Sequence, residues 1–412
     1  MSQSQDPSGA GTQKYPGSAR WASLLARNPN LANIDPVLRQ QILDVPDTED
    51  PHDLHLGEIF WRDHQQWLHE QGYILRPRYM ADWVPPWKGS DREAVDFEDG
   101  VINMFPQVLD ATRLSDGEMV ALKRIKRSEH PYEIELTKFF SEEPLRSHPR
   151  NHCVPLLDVL DSPHDSDEAI LVLPLLRRFF TPAFETLGEA LEFFRQIFEG
   201  LQFMHQSRVA HRDCMFFNIM MDPRPIYPKM YHPINLDRDR NWKGMAKYFT
   251  RTSRPVKYYL IDLGISRKYD HSDVSPKELP IIGGDKTVPE FARFDEPCDP
   301  FQTDVYYIGN VIRTEFLQKM PGLELMVPLV NDMVQDDPSK RPTMDEVVDR
   351  FAKLYKPLPW WRLRSRLRDH DESTLIRVAS NVYHFFRTTT QIVTFRKAMP
   401  RPPKSPLHTF ST

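Results

Sequence analysis

Four side chains set the chemistry open to this chain of 412 residues. In the run His211-Arg212-Asp213-Cys214-Met215-Phe216-Phe217-Asn218, a carboxylate and an amide oxygen are separated by one short loop. A second carboxylate, Asp262, ends the apolar run Tyr258-Tyr259-Leu260-Ile261 and is followed by Leu263-Gly264. Upstream, Val120-Ala121-Leu122-Lys123 carries an ammonium group on an apolar stretch. Hard oxygen ligands suit magnesium, a carboxylate can accept a hydroxyl proton, and an ammonium group complements phosphate charge. The three abilities meet in chemistry at a phosphate. Each pattern alone is common in loops, so the weight falls on their order and on the elements that carry them.

Those elements are legible. Residues 107–114 and 119–125 alternate as strands joined by a turn at Ser115-Asp116-Gly117, a hairpin signature. Residues 169–176 form a short apolar strand, and residues 187–206 place apolar side chains at helical spacing immediately before the loop at His211. Residues 1–55 are rich in Pro, Ser, Asn and Asp and read as a flexible arm. Residues 56–96 read as an aromatic helix and strap that needs a surface to pack on. Residues 356–412, opening on tandem prolines and Trp360-Trp361-Arg362-Leu363-Arg364, read as a basic, aromatic tail beyond the compact region.

Composition narrows the class. Apolar residues make up 40% and charged residues 27%, and the apolar runs are too short for a bilayer span, so no membrane partner is expected. A formal charge of -5 argues against nucleic acid as a partner. The opening MSQSQDPSGAGTQKYPGS lacks the apolar segment of a secretory signal, which makes an intracellular location, cytoplasmic or nuclear, the expectation. The three cysteines, Cys153, Cys214 and Cys298, have no metal-ligand spacing and read as reduced thiols.

Taken in order, the motifs resemble those of the protein kinase superfamily. His211 to Asn218 resembles its catalytic loop, Asp262-Leu263-Gly264 its Asp-Phe-Gly, and Val120 to Lys123 its third-strand lysine motif. Val288-Pro289-Glu290 resembles Ala-Pro-Glu, Asp304 to Gly309 resembles Asp-x-Trp-x-x-Gly, and Asp337 to Pro342 resembles Asp-Pro-x-x-Arg-Pro. The last three set the chain apart from small-molecule kinases of the choline and aminoglycoside type. The resemblance covers a kinase-like domain over about residues 97–355, and against the family's shorter connection between Asn218 and Asp262 it implies an insert at about 224–255, read as a solvated loop, or alternatively a docking surface. The leading motifs Phe60 to His64, Arg76-Pro77-Arg78-Tyr79 and Asp82-Trp83-Val84 are similar to kinase-like proteins of mushroom-forming fungi.

The resemblance implies an α+β fold of two lobes, a small β-rich N-lobe and a larger helical C-lobe, with ATP and Mg2+ as cofactors and a protein substrate or signalling partner. It implies catalytic roles for Asp213, Arg212 and His211, and magnesium binding by Asn218 and Asp262. Lys123, Val108, Ala121, Leu173 and Leu176 would face the nucleotide. Glu133 or Glu135 would pair with Lys123, and apolar spacing through Ile134, Leu136 and Phe140 favours Glu133. It also implies that Arg341 and Glu290 form a buried pair, and that Arg212 reads a phosphate on the segment between Asp262 and Glu290, where Ser266, Ser272, Ser275 and Thr287 are candidates.

The pattern is also broken. The three glycine positions of the phosphate-binding loop hold Val101, Asn103 and Pro106, which predicts a weak lid. The loop lysine of Ser/Thr kinases is replaced by Met215, its threonine partner by Gly283, and the tyrosine-kinase arginine by Phe217. A protein kinase with Ser/Thr preferred is the leading expectation, a pseudokinase scaffold of the same fold the alternative, and a small-molecule kinase the third.

Overall fold

Apolar and aromatic residues recur at helical spacing after residue 55, and they fold as α1 (Leu56–Asp63) and α2 (Gln65–Glu70). The computed structural model describes residues 56–403 except 93, 102 and 104, together with residues 21, 22, 25 and 54. The arm expected over residues 1–55 therefore lies almost wholly outside the described residues, although Trp21 and Leu54 within it are buried. Two compact units divide the chain, one of residues 1–118 with 231–246, the other of residues 119–230 with 247–412.

In the first unit, α1 and α2 lead into β1 (Tyr73–Ile74), which pairs antiparallel with β2 (Val108–Arg113). The turn after β2 needs a left-handed residue, and Gly117 supplies it at φ 72°. The strap between β1 and β2 is pinned by buried charge. Arg78, fully buried, grips both carboxylate oxygens of Glu58 at 2.9 Å, and Tyr79 donates to the same group at 3.2 Å. Arg76 pairs with Asp110 at 3.1 Å, and the Trp83 indole donates to Asp99 at 2.9 Å. Such pairs hold one register because breaking either partner leaves a charge in an apolar setting.

The insert differs from the solvated loop expected of it. Its centre, residues 231–246, belongs to the first unit. His232 is fully buried, lies 3.4 Å from Glu98 and meets the Trp242 ring edge-on. Arg240 donates to Thr112 at 2.8 Å. A run of Arg, Trp and His this dense suits water by composition, yet its planar groups supply both apolar contact and directed hydrogen bonds.

In the second unit, β3 (Met119–Lys126) and β4 (Asp158–Asp161) flank β5 (Glu168–Pro174), all antiparallel. Ala121 stands opposite Leu173 and Lys123 opposite Leu171, so alternation places Ala121 and Lys123 on one face while Val120 and Leu122 are buried on the other. The helix α3 (Glu133–Ser141) follows β3. A second sheet joins β6 (Arg177–Arg178), β8 (Ile219–Met221) and β9 (Tyr258–Leu260), and β7 (Val209–Ala210) pairs with β10 (Arg267–Lys268).

The core of this unit is α4 (Leu187–Gln206), capped by Thr186 and packed through Phe193 against the stacked rings of Phe179 and Phe316. Around it stand α5 (Pro300–Ile312), α6 (Val327–Met333) and α7 (Met344–Tyr355), the last opened by a Thr343–Glu346 capping box. The segment after Lys356 does not trail away. It forms α8 (Trp360–Leu363) and α9 (Thr374–Val393), and the chain between them bonds back through Leu187 N–H to Ser365 O and Leu367 N–H to Glu185 O, each 3.0 Å.

Candidate active site

The strand pair β8 and β9 does the first positioning. Ile219 stands opposite Leu260, and the Ile261 N–H donates to Asn218 O at 2.9 Å, so Asn218 and Asp262 arrive side by side from positions far apart in sequence. Asp262 takes a left-handed conformation, φ 65°, at the strand end. Its carboxylate accepts from Lys123 Nζ at 2.8 Å, and the same ammonium donates to Glu133 Oε1 at 2.5 Å. Glu133 is therefore the partner of Lys123, while Glu135 is exposed on the other side of α3. The two are adjacent odd positions on a helix, and only one can face the sheet.

The charges of this cluster are interdependent. Burial acts against the Lys123 ammonium, but Glu133 and Asp262 more than offset it and hold the group above its usual range. Burial likewise raises Glu133, with Lys123 opposing. For Asp262 the burial effect is overcome by Lys123 and by the Gly264 N–H, which keep the carboxyl below its usual range.

The loop carrying Asp213 is fixed from beneath by Asp304, fully buried on α5. Its carboxylate accepts the backbone N–H groups of His211 and Arg212, both at 2.7 Å, and sits 3.0 Å from His205 Nε2. His211 is buried, with its ring 3.1 Å from Ile261 O, and burial lowers its pKa. Asp213 is thereby held with one oxygen accepting from Asn218 Nδ2 and the other from the Gly284 N–H, both at 2.8 Å. Burial, reinforced by Asp262, pushes the Asp213 carboxyl up to about 7.

The two glycines facing Asp213 explain the departures noted in the sequence. A Cβ on Gly283 would lie 2.4 Å from both Asp213 Oδ1 and the Tyr307 hydroxyl, so no threonine fits where Ser/Thr kinases carry one. A Cβ on Gly284 would come within 2.6 Å of Met215 Cε. The thioether, not a cation, lies along that turn, and its sulfur accepts the Phe217 N–H at 3.1 Å. Nothing in the sequence marked Tyr307 or the Gly284 N–H as neighbours of Asp213, because the contact closes across 71 residues.

Arg212 also departs from the expected arrangement. It pairs with Glu278 at 2.9 Å, so a carboxylate of the segment itself takes the place expected for a phosphate. Of the candidate acceptors, Ser266 is buried and donates to His211 O, whereas Ser272, Ser275 and Thr287 are exposed. Glu290 and Arg341 form a two-pronged ion pair, with both contacts at 2.7 Å.

The other nucleotide-facing candidates are partly placed. Ala121 and Leu173 face each other across β3 and β5, half-buried on the Lys123 face, and Leu176 follows the end of β5. Val108 opens β2 in the first unit and is exposed. In that unit the degenerate glycine positions are built into the packing. Val101 is buried, Asn103 hydrogen-bonds Phe105 at 3.2 Å, and Pro106 O accepts from the buried Trp61 indole at 3.0 Å.

Residues 104–277 match the protein kinase domain family. That match supports the protein kinase superfamily for this part of the chain, and the α+β structure is consistent with the two-lobed fold of that class. Curated proteins give no match to the chain, so the likeness of the leading segment to fungal kinase-like proteins rests on its motifs alone. Among the described residues no helix is long and apolar enough to cross a membrane.

Proposed function

We propose that the protein is an ATP- and Mg2+-dependent protein kinase that transfers the γ-phosphoryl group to protein hydroxyls, Ser and Thr preferred. The observation that carries this reading is the joint placement of Lys123, Glu133 and Asp262 with Asp213 and Asn218. A half-buried lysine held by two carboxylates, next to a third carboxylate of raised proton affinity, is costly to maintain without a use.

The donor set fits the cofactor. Asn218 spends its amide N–H groups on Asp213, which leaves its oxygen for a cation, and Asp262 supplies a carboxylate. Two protein oxygen ligands suit magnesium, which takes its remaining ligands from phosphates and water. Among the described residues no cluster of three His, Cys, Asp or Glu offers an all-protein metal site. Bound ATP would supply the electrophilic phosphorus, and magnesium held by Asn218 and Asp262 would offset the charge of its phosphate oxygens.

Asp213 accepts the proton of the incoming hydroxyl, and Asn218 with the Gly284 N–H fixes its direction. Lys123 would hold the phosphates of the nucleotide, and Glu133 orients Lys123. Asp304 acts at one remove, through the loop backbone. A scaffold without phosphotransfer is the second reading, favoured by the thioether of Met215 in the cation's place and by the packing of Pro106 where a flexible glycine would serve.

Binding of ATP with and without magnesium, followed by phosphate transfer to a generic protein substrate, separates the two. Lys123→Met should weaken nucleotide affinity by at least about tenfold, the loss of one charge-assisted contact. Equal affinity in variant and parent would remove the lysine from the site, and a parent that binds no Mg-ATP would leave only the scaffold.

A further inference from the structure

The side chain of Tyr307 is fully buried on α5, and its hydroxyl has no hydrogen-bond partner among the described residues. Such a group costs stability, whereas phenylalanine would fill nearly the same volume without that cost. The hydroxyl is aimed at the catalytic loop. The point where Gly283 would carry a Cβ lies 2.4 Å from it and 2.4 Å from Asp213 Oδ1, so at most twice that distance separates the two oxygens. Burial, reinforced by Asp213, raises the phenol above its usual range, which keeps its proton in place and makes it a donor.

The helix brings these groups together. Asp304 and Tyr307 stand three residues apart on α5 and so share one of its faces. Asp304 takes the loop backbone at His211 and Arg212, and Tyr307 meets the carboxylate that the loop presents. Tyr306 and Asn310 hold the segment on the other side of the site, the first donating to Thr287 O at 2.9 Å and the second to Thr287 Oγ1 at 3.1 Å. The turn at Gly283-Gly284 is thereby laid over Tyr307, and the missing Cβ at Gly283 is what leaves room for the hydroxyl. Three carboxylates surround the phenol, but they differ in what they can still accept. Asp304 takes two N–H groups and contacts His205, and Asp285 takes Thr287 and Asn310. Among the described residues Asp213 Oδ1 accepts one N–H, that of Gly284, and keeps a lone pair.

We propose that Tyr307 is a positioning residue for Asp213: its hydroxyl donates to Oδ1 beside the Gly284 N–H and so leaves Oδ2 to take the proton of the incoming hydroxyl. The last torsion of an aspartate is soft, so Oδ1 closes on the phenol without a change of backbone. The use of this contact rests on the phosphotransfer reading, and the contact itself does not.

Two measurements test it. In metal-free buffer Tyr307→Phe should lower the melting temperature of the parent but not that of Asp213→Ala, where the donor has no acceptor left to lose. A hydroxyl that stays unpaired predicts the opposite sign, because phenylalanine then removes a buried cost. In single-turnover transfer from Mg-ATP to a generic protein substrate, Tyr307→Phe should slow the step by about tenfold or more, the worth of one hydrogen bond to a charged group. Nucleotide affinity and the half-saturating substrate concentration should not change. A Tyr307→Phe chain that melts at or above the parent's temperature, or that loses as much in the Asp213→Ala background, would overturn the contact. Transfer at the parent's rate would overturn the positioning role. A parent that transfers nothing while the melting temperatures show the coupling would uphold the contact and remove the phosphotransfer reading instead.

Discussion

Glu290→Ala is the sharpest probe of the larger unit. Arg341 is fully buried in its side chain and gives both terminal nitrogens to Glu290. Removing the carboxylate leaves a guanidinium that still donates to Gln335 O at 2.8 Å and Gln302 O at 2.9 Å and stacks 5.0 Å from the Tyr306 ring. Those neutral acceptors satisfy its hydrogen bonds but not its charge, and Thr303 loses the carboxylate at 3.0 Å and keeps only Asp299 O at 3.3 Å. The loss should be about 3–5 kcal/mol, the range for breaking one side of a buried pair. At about 2 °C per kcal/mol for a unit of this size, the melting temperature should fall by about 6–10 °C. Urea unfolding of the parent, Glu290→Met, Arg341→Met and the double variant Glu290→Met/Arg341→Met closes a cycle. The double variant should recover at least about 2 kcal/mol of the single-site loss, because two methionines bury no charge. A loss under about 1 kcal/mol, or a double variant as unstable as the two singles added together, would refute the account of a coupled buried pair.

Other outcomes follow from the same contacts. Burial keeps a proton on Asp213 in the folded state that the unfolded chain has released, so the parent loses stability as pH rises from about 4 to about 7. In metal-free buffer the stability of Asp213→Asn relative to the parent should therefore be greater at about pH 8 than at about pH 5 by about 2–3 kcal/mol, read by urea unfolding, and a difference independent of pH would refute it. Gly283→Thr should lower both stability and phosphate transfer, since its Cβ collides with Asp213 and Tyr307, and pairing it with Met215→Lys should not restore activity. An active double variant in single-turnover assays would show that the loop yields. Glu278→Ala should free Arg212 and expose residues 270–284 to limited proteolysis, and an unchanged digest would show that other contacts hold the segment.

What the sequence carried was local spacing. The strand bearing Lys123, the helix ending at Gln206 and the oxygens of Asp213, Asn218 and Asp262 were legible because each motif sits within a few residues of the element that presents it. The choice of Glu133 over Glu135 was half legible, through the apolar spacing of α3. What closed over distance was not. Gly283 reads as a missing threonine until Asp213 and Tyr307 are seen to occupy the space, and Arg212 reads as awaiting a phosphate until Glu278 meets it. The insert departs from its composition for a physical reason. Arginine in quantity reads as solvent-facing, whereas Arg251 is buried against Phe179 O at 2.6 Å and the Phe184 ring.

The recruitment of residues 231–246 into the first unit sets an order of assembly. Glu98 meets His232 across 134 residues of chain, and Arg240 meets Thr112 across 128. On a ribosome, the N-terminal segment waits until more than half of the polypeptide has emerged before its last pieces arrive. During that interval Trp61 and Trp83, buried at the end, lie in an unfinished unit, open to chaperones and to aggregation. Translation speed across residues 119–230, where no piece of the first unit is made, thus becomes a determinant of how much of this protein reaches its native state.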